Sequence, residues 1–322
     1  MTPVRLSCAR ENGYPVRVDL DDLLMKTSRT FALAIPLLPE PTRREVGVAY
    51  LLFRIADTFE DATTWPRQTR LGALNDFAAA MHLPGAERVA RVRALVPQWL
   101  RSPPVTHEGY LELLREAGGV VAALDQMPLA MQRVLVHHTV RTAEGMAKVV
   151  ARADERGSLK LDSMKDLTDY CYVVAGIVGE LLTDVFVHDA PSLASHRARL
   201  EQHMVEFGEG LQLVNILKDQ GSDATDGRVY LPANVSTAEV FARARADLEA
   251  ANRYVQSLQQ GSAPRGFLAF CGLALVLAFA ALDRLEAEGA GAKVSRDDVA
   301  RLFGRLQELL DVGAPLDLRA LA

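Results

Sequence analysis

The chain reads as all-α, and three observations point there. No alternating apolar and polar strand pattern recurs. Stretches with helical periodicity follow one another from residue 21 onward. Alanine and leucine are plentiful while aromatic residues make up 6% of the chain, a composition that favours helices. No repeat of fixed period is visible, and no glycine-rich dinucleotide fingerprint follows a strand. With 322 residues, 49% hydrophobic and 24% charged, the chain can bury a large core, and length alone would permit two domains. The reading is an irregular lead-in over residues 1–20 and one all-α domain over 21–322, a helical bundle around a central apolar cavity.

The elements follow in order. Asp21-Asp-Leu-Leu-Met-Lys26 opens a helix with acidic residues in its first turn, which suits the helix dipole. Lys26-Thr-Ser-Arg-Thr-Phe-Ala-Leu-Ala-Ile35 sets hydroxyls and cations ahead of an apolar run. It is either an ordinary exposed turn or a set of donors for phosphate oxygens, with Arg29 as a fork donor. Pro39-Glu-Pro-Thr-Arg43 is a break before the next helix, which ends near Pro66. Residues 71–81 and 86–100 have helical periodicity, Pro103-Pro104 is a loop, and nothing from 66 to 130 asks for chemistry.

Residues 134–148 form a further helix, in which the adjacent His137 and His138 point in different directions and cannot chelate one metal. After a break around Gly157, residues 164–182 read as one helix. Gly176 and Gly179 in its interior each weaken it by up to about 1 kcal/mol, a cost tolerated where something approaches the backbone closely. Tyr170, Val173, Val174 and Ile177 form one stripe, read either as core with a satisfied tyrosine or as a pocket wall with one hydroxyl pointed inward. Residues 235–258 are an amphipathic helix. Phe267 to Leu282 is sixteen residues without a charge. That is short of the ~20 a membrane span needs and fits a central buried helix, apolar on all sides. A loop over 289–296 leads into a last helix from Asp297 to about Leu310.

Two stretches carry chemistry. In Gly210-Leu-Gln-Leu-Val-Asn-Ile-Leu-Lys-Asp-Gln-Gly-Ser-Asp223, the residues Asn215, Asp219 and Asp223 are four apart. On a helix that puts them on one face, with Cβ atoms roughly 5–6 Å apart. Gly221 is a candidate early end of that helix, so Asp223 is the least secured of the three. Upstream, Arg54-Ile-Ala-Asp-Thr-Phe-Glu-Asp61 sets Asp57 and Asp61 four apart, with Glu60 three after Asp57 and Arg54 three before it. Either row alone reads as a solvated acidic face or as a metal site. Their apolar neighbourhoods, Val48 to Phe53 and Leu211 to Leu217, favour the second reading, because buried carboxylates are expensive unless paired or metal-bound. All-oxygen donors suit Mg²⁺, which shares its shell with substrate phosphate. The expectation is that the two rows face each other and form a site for magnesium and diphosphate.

Composition excludes other classes. A formal charge of −5 from 36 basic and 41 acidic residues gives no polycation character, so nucleic acid is not a partner. Cys8, Cys171 and Cys271 are far apart without metal-type spacing, which points to a reducing compartment. The N-terminus has no continuous apolar h-region, so no signal peptide is expected and the chain reads as cytoplasmic.

The motifs, in order, resemble those of the squalene/phytoene synthases, the head-to-head trans-prenyl transferases. The carriers, within roughly residues 20–300, are Thr27-Ser-Arg-Thr-Phe31, Asp57-Thr-Phe-Glu-Asp61, Tyr170-Cys-Tyr-Val-Val-Ala-Gly-Ile-Val-Gly179, Gln212-Leu-Val-Asn-Ile-Leu-Lys-Asp219 with Asp223, and Arg228-Val-Tyr-Leu-Pro232. Within the family the chain looks most like the squalene-forming branch, in Asp57 to Asp61, in Phe270-Cys271, and in Ala292-Lys-Val-Ser-Arg296, which is similar to a segment tied there to NADPH. Lys218 stands where many relatives have Arg, keeping the charge but losing bidentate phosphate binding. The membrane anchor that ends eukaryotic members is not seen, so the chain is expected to resemble the soluble bacterial form. Oily substrate tails and product are compatible with peripheral contact with the inner membrane.

The resemblance implies an isoprenoid-synthase-type bundle and a prenyl transferase. Two farnesyl diphosphates would condense to presqualene diphosphate, which NADPH would reduce to squalene. It implies Mg²⁺ on Asp57, Asp61, Asn215, Asp219 and Asp223, with Glu60 a weaker ligand. Ser28, Thr30, Phe31, Tyr50, Arg54, Gln212, Lys218 and Arg228 would bind substrate, and Lys293 and Arg296 the NADPH. Tyr170 would transfer the proton that closes the cyclopropane, relayed to the released diphosphate because a tyrosine pKa of about 10 makes a poor lone base. Phe31, Phe53 and Phe270 are expected to line the hollow. The alternatives are a phytoene synthase on C20 substrates, an enzyme stopping at presqualene diphosphate or dehydrosqualene, and, in another class, a non-catalytic helical scaffold of the same fold.

Overall fold

Helices form where apolar residues recur at helical spacing, and end at the prolines, glycines and caps between them. The computed structural model describes the backbone and side chains of residues 18–28, 30–154, 159–221 and 229–322, and the backbone alone of 6–11, 14–17 and 222–225. The chain divides into two compact units, residues 1–32 with 44–157 and residues 33–43 with 158–322.

The first unit opens with a hairpin, β1 (Leu6–Glu11) and β2 (Tyr14–Val18), paired antiparallel from Leu6 opposite Val18 to Glu11 opposite Tyr14. This differs from the irregular lead-in expected over 1–20. The sequence between the strands is Asn12-Gly13, the strongest short-range hairpin signal, and two strands this short do not register as a recurring pattern. Asp19 caps α1 (Leu20–Thr27) by accepting from the Asp22 N–H at 3.1 Å. The short α2 (Phe31–Ala34) precedes α3 (Thr42–Glu60). Then come α4 (Arg67–Met81), α5 (Gly85–Leu100), α6 (Glu108–Arg115), α7 (Ala117–Leu124) and α8 (Leu129–Arg152).

An aromatic cluster fixes the last turn of α3. Phe59 lies 4.7 Å from Trp99, 6.1 Å from Trp65 and 6.4 Å from Phe77, centroid to centroid, and all four are buried. The Trp65 indole N–H donates to the Ser102 carbonyl at 2.6 Å. Each such pair contributes about 0.5–1.5 kcal/mol beyond its buried area. Asp57, Glu60 and Asp61 are therefore held on a turn anchored from its apolar side.

In the second unit, α9 (Met164–Cys171), one π turn (Tyr172–Gly176) and α10 (Ile177–Asp189) run as a single helix. The expected close approach at Gly179 is present. A Cβ there would lie 1.7 Å from the Met204 carbonyl oxygen, and one at Gly208 would lie 1.9 Å from that of Ala175. Both glycines let this helix meet, backbone to backbone, α12 (Met204–Thr225), which follows the short α11 (Arg197–Glu201). A capping box of Ser236 and Glu239 starts α13 (Thr237–Gln260). After it come α14 (Arg265–Glu288), α15 (Arg296–Asp311) and the short α16 (Leu318–Leu321).

The apolar stretch of α14 is a buried helix. Phe267 stacks on Phe186 at 4.2 Å, and Phe270 meets the same ring edge-on at 6.4 Å. At 24 residues, α14 is long and apolar enough to cross a membrane, as is the 26-residue run Met164–Asp189; 72% and 56% of their most apolar windows are buried within the protein.

Candidate active site

The acidic row of α3 converges on one point. Asp57, Glu60 and Asp61 each offer a carboxylate oxygen, and these oxygens all lie within 4.8 Å of one another. Glu60 is buried, while Asp57 and Asp61 are half-buried. Asp61 lies one residue past the helix, yet its N–H still donates to the Asp57 carbonyl at 2.8 Å, so the helical register carries through. Arg70 of α4, itself buried, donates to the Glu60 carbonyl and ties down the same turn. Three carboxylate oxygens this close suit a hard divalent cation, since octahedral Mg²⁺ at about 2.0–2.1 Å brings its ligand oxygens to roughly 3–4 Å of one another.

Arg54 is the cation of this site. It pairs with Asp57 and its other nitrogen donates to the Tyr50 hydroxyl at 3.3 Å. Its guanidinium carbon lies 5.5 Å from the Tyr50 ring centroid and 5.4 Å from that of Tyr110, on α6. Burial pulls the Arg54 pKa down, but Asp57 and the two tyrosines outweigh it and raise it above the ordinary value, so the group is a permanent cation. Burial, together with Asp57, Tyr50 and Asp61, raises the Tyr110 pKa against the opposing pull of Arg54. Tyr110 falls in the stretch that asked for no chemistry in the sequence. A lone tyrosine in α6 carries no local signal, and only the packing of α6 brings it to Arg54.

Ser28, Phe31 and Tyr50 gather at the end of α1. The Ser28 hydroxyl accepts from the Phe31 N–H at 2.9 Å, and the Phe31 ring lies 5.7 Å from Tyr50. Tyr50 donates to the Thr27 carbonyl at 2.8 Å. Thr30 is exposed and Phe53 buried. Arg29 lies outside the described residues.

In the second unit α12 runs to Thr225, past Gly221, so its backbone carries Asn215, Asp219 and Asp223 at helical spacing; the Asp223 side chain lies outside the described residues. Lys218 donates to the Asn215 side-chain amide oxygen Oδ1 at 3.0 Å and lies 3.3 Å from Asp219, so this row carries its own cation. Gln212 is half-buried on the same helix. Arg228 lies outside the described residues. Tyr170 is buried and stacks on Tyr230 at 4.7 Å. The neighbouring Tyr172 donates to Glu180 at 2.8 Å. Phe270 belongs to the aromatic core around Phe186. Lys293 and Arg296 are exposed on either side of Ser295, the N-cap of α15.

The sequence matches the family model described as squalene/phytoene synthase over residues 24–241. Squalene synthase of Schizosaccharomyces pombe is 29% identical over 216 residues, 66% of this chain and 43% of that protein. Squalene synthase of Mycosarcoma maydis is 31% identical over 209 residues, 64% of this chain and 33% of that protein. The match thus spans under half the length of these curated relatives. Among solved structures, TcSQS in complex with the ligand BPH1237 superposes with a TM-score of 0.69 at 23% identity, covering 91% of this chain and 89% of that one. A dehydrosqualene synthase in complex with a ligand gives 0.51 at 21% identity, covering 91% and 95%. These likenesses give the fold, an all-α isoprenoid synthase bundle; with the family model matched over more than half its length, the chain belongs to the squalene/phytoene synthase family.

Proposed function

We propose that this chain is a squalene synthase, joining two farnesyl diphosphates head to head through presqualene diphosphate and reducing that product with NADPH. The observation that carries the reading is the convergence of the Asp57, Glu60 and Asp61 carboxylates beside Arg54. A carboxylate cluster with a fixed cation at its side is suited to a metal–diphosphate and has no evident use in a scaffold.

In this reading Asp57, Asp61, Asn215, Asp219 and Asp223 hold magnesium, with Glu60 completing the α3 set. Bound Mg²⁺ supplies Lewis-acid neutralisation of the departing diphosphate. The protein's own donors act beside it. Arg54 and Lys218 offer cationic donors to phosphate oxygens, and Ser28 and Thr30 add hydroxyls; Arg228 is assigned the same role from its motif. Phe31, Tyr50 and Gln212 contact the substrate around them. When the allylic C–O bond breaks, the electron pair leaves with the diphosphate. The double bond of the second farnesyl chain attacks the cation, and a proton is lost as the cyclopropane closes. The Tyr170 hydroxyl relays that proton, giving its own to the freed diphosphate as it takes the new one. Apolar walls keep water from the cation, and burying a farnesyl tail at ~0.8 kcal/mol per CH₂ holds the chain in place.

For the reduction, the remaining diphosphate leaves presqualene diphosphate with the electron pair of its C–O bond, the cyclopropylcarbinyl cation rearranges, and NADPH would supply the hydride that quenches it, becoming NADP⁺. Lys293 and Arg296, two exposed cations three residues apart, fit the charge of its phosphates. An oily product also suits an enzyme working at the inner face of a membrane. The experiment is one incubation of farnesyl or geranylgeranyl diphosphate with Mg²⁺, with and without NADPH, the products separated by mass. Squalene from farnesyl diphosphate and NADPH is expected. Phytoene from the C20 substrate, or presqualene diphosphate or dehydrosqualene unchanged by NADPH, overturns this end point. No product from either substrate overturns the enzyme altogether.

A further inference from the structure

We propose that Tyr110 is a positioning residue for the α3 site. With Tyr50 it plates the Arg54 guanidinium, so that Arg54 meets Asp57 and an incoming diphosphate in one orientation. The inference rests on the diphosphate-binding reading above and deepens it.

Arg54 has fewer polar partners than its fork could use. Asp57 and the Tyr50 hydroxyl take the two terminal nitrogens, while Nε is buried without an acceptor among the described residues. The two ring centroids, both under 6 Å from the guanidinium carbon, lie within the range in which a ring quadrupole attracts a cation. Ring contact therefore supplies the hold that hydrogen bonds do not. Bidentate recognition of a phosphate depends on the plane of the guanidinium, and ring contacts are what fix that plane.

Both rings are referenced to the end of α1. Tyr50 donates to the Thr27 carbonyl at 2.8 Å. Tyr110 follows Gly109, where a Cβ would lie 2.6 Å from the Lys26 carbonyl oxygen, so the first turn of α6 rests directly on α1. Lys26 fastens the same contact by donating to both carboxylate oxygens of Glu112, at 2.8 and 2.9 Å. The His107 ring covers Tyr110 at 4.4 Å. A side chain this constrained, in a helix with no other chemistry, is built to hold something, and the cation against it is Arg54.

The test compares Tyr110→Leu, which keeps bulk but removes the ring face, with Tyr110→Phe, which keeps the face and removes the hydroxyl. The readout is calorimetric titration of inorganic diphosphate in the presence of Mg²⁺, with far-UV circular dichroism as the fold control. Tyr110→Leu is expected to weaken binding roughly three- to thirty-fold, the range of a cation–π contact, and Tyr110→Phe to restore most of that loss. In turnover of farnesyl diphosphate the loss should appear in KM more than in kcat. Equal binding by wild type and Tyr110→Leu, or equal losses in both variants, overturns the clamp while leaving the diphosphate reading intact. If wild type binds no Mg–diphosphate, that reading falls. The clamp is then judged by hydrogen exchange at Arg54 Nε, expected slow in wild type and Tyr110→Phe and fast in Tyr110→Leu; equal exchange in all three overturns it.

Discussion

Replacing Glu209 by glutamine should flatten the fall in stability that this protein undergoes as pH rises. Glu209 on α12 and Asp247 on α13 are both buried and share one guanidinium. Arg243 donates to Glu209 Oε2 at 3.2 Å and, through Nε, to Asp247 Oδ2 at 2.9 Å. Two carboxylates against one cation leave an excess negative charge in a dry place. Burial first, and Asp247 second, push the Glu209 pKa up to about 7 against the pull of Arg243, with Glu206 adding to the rise. Burial likewise raises Asp247 to about 6. The folded state therefore keeps protons that the unfolded chain has already released. The stabilisation is full below the ordinary carboxyl range and is lost as pH climbs through about 6 to 7. At 1.36 kcal/mol per unit the Glu209 shift corresponds to about 3 kcal/mol, and sharing of the proton with Asp247 reduces this to on the order of 1–3 kcal/mol. Glu209→Gln keeps the shape and removes the titration. Urea unfolding at about pH 5 and about pH 8 should show wild type losing this amount relative to the variant, with the midpoint moving and the slope constant. Parallel pH profiles for the two proteins would refute the assignment of the buried charge.

Gly179→Ala should lower the melting temperature sharply, since its Cβ would sit 1.7 Å from the Met204 carbonyl oxygen and overpacking of this kind costs at least about 1–3 kcal/mol; an unchanged melting curve would show that the crossing is looser than described. Lys218→Met should weaken Mg–diphosphate binding by roughly ten-fold, a discounted value for a charged hydrogen-bond donor that is partly exposed, measured by calorimetry, with no loss of helicity. Lys293→Ala together with Arg296→Ala should shift the product from squalene toward presqualene diphosphate at fixed NADPH, read by mass; an unchanged product ratio would remove both residues from cofactor binding.

The helical class was legible because helix periodicity is local, and so was the burial of Phe267 to Leu282, where an uncharged run has nowhere else to go. The acidic row of α3 was legible because i, i+3 and i+4 spacing on a helix dictates convergence. Gly179 was legible as a close approach, although its partner, the Met204 carbonyl, was not. What sequence reasoning lacked was tertiary. Tyr110 reaches Arg54 only because α6 packs on α1 at Gly109, two elements 86 residues apart at the Lys26–Glu112 pair. The Glu209–Arg243–Asp247 group joins two helices 34 residues apart and announces itself by no motif. The β1–β2 hairpin was legible as well, in Asn12-Gly13, a local signal that the reading of residues 1–20 as an irregular lead-in did not use.

The central proposal is that the acidic row of α3 and the acidic row of α12 are each metal ligands that let an allylic diphosphate leave. Mg²⁺-dependent release of diphosphate from farnesyl diphosphate, followed in a single turnover by wild type, Asp57→Asn and Asp219→Asn, tests it most directly. Each substitution is expected to cut the rate by at least roughly a hundred-fold, the weight of a metal ligand in charge stabilisation, with the helical spectrum unchanged. Wild-type rates in both variants, or release that does not need the metal, would contradict it.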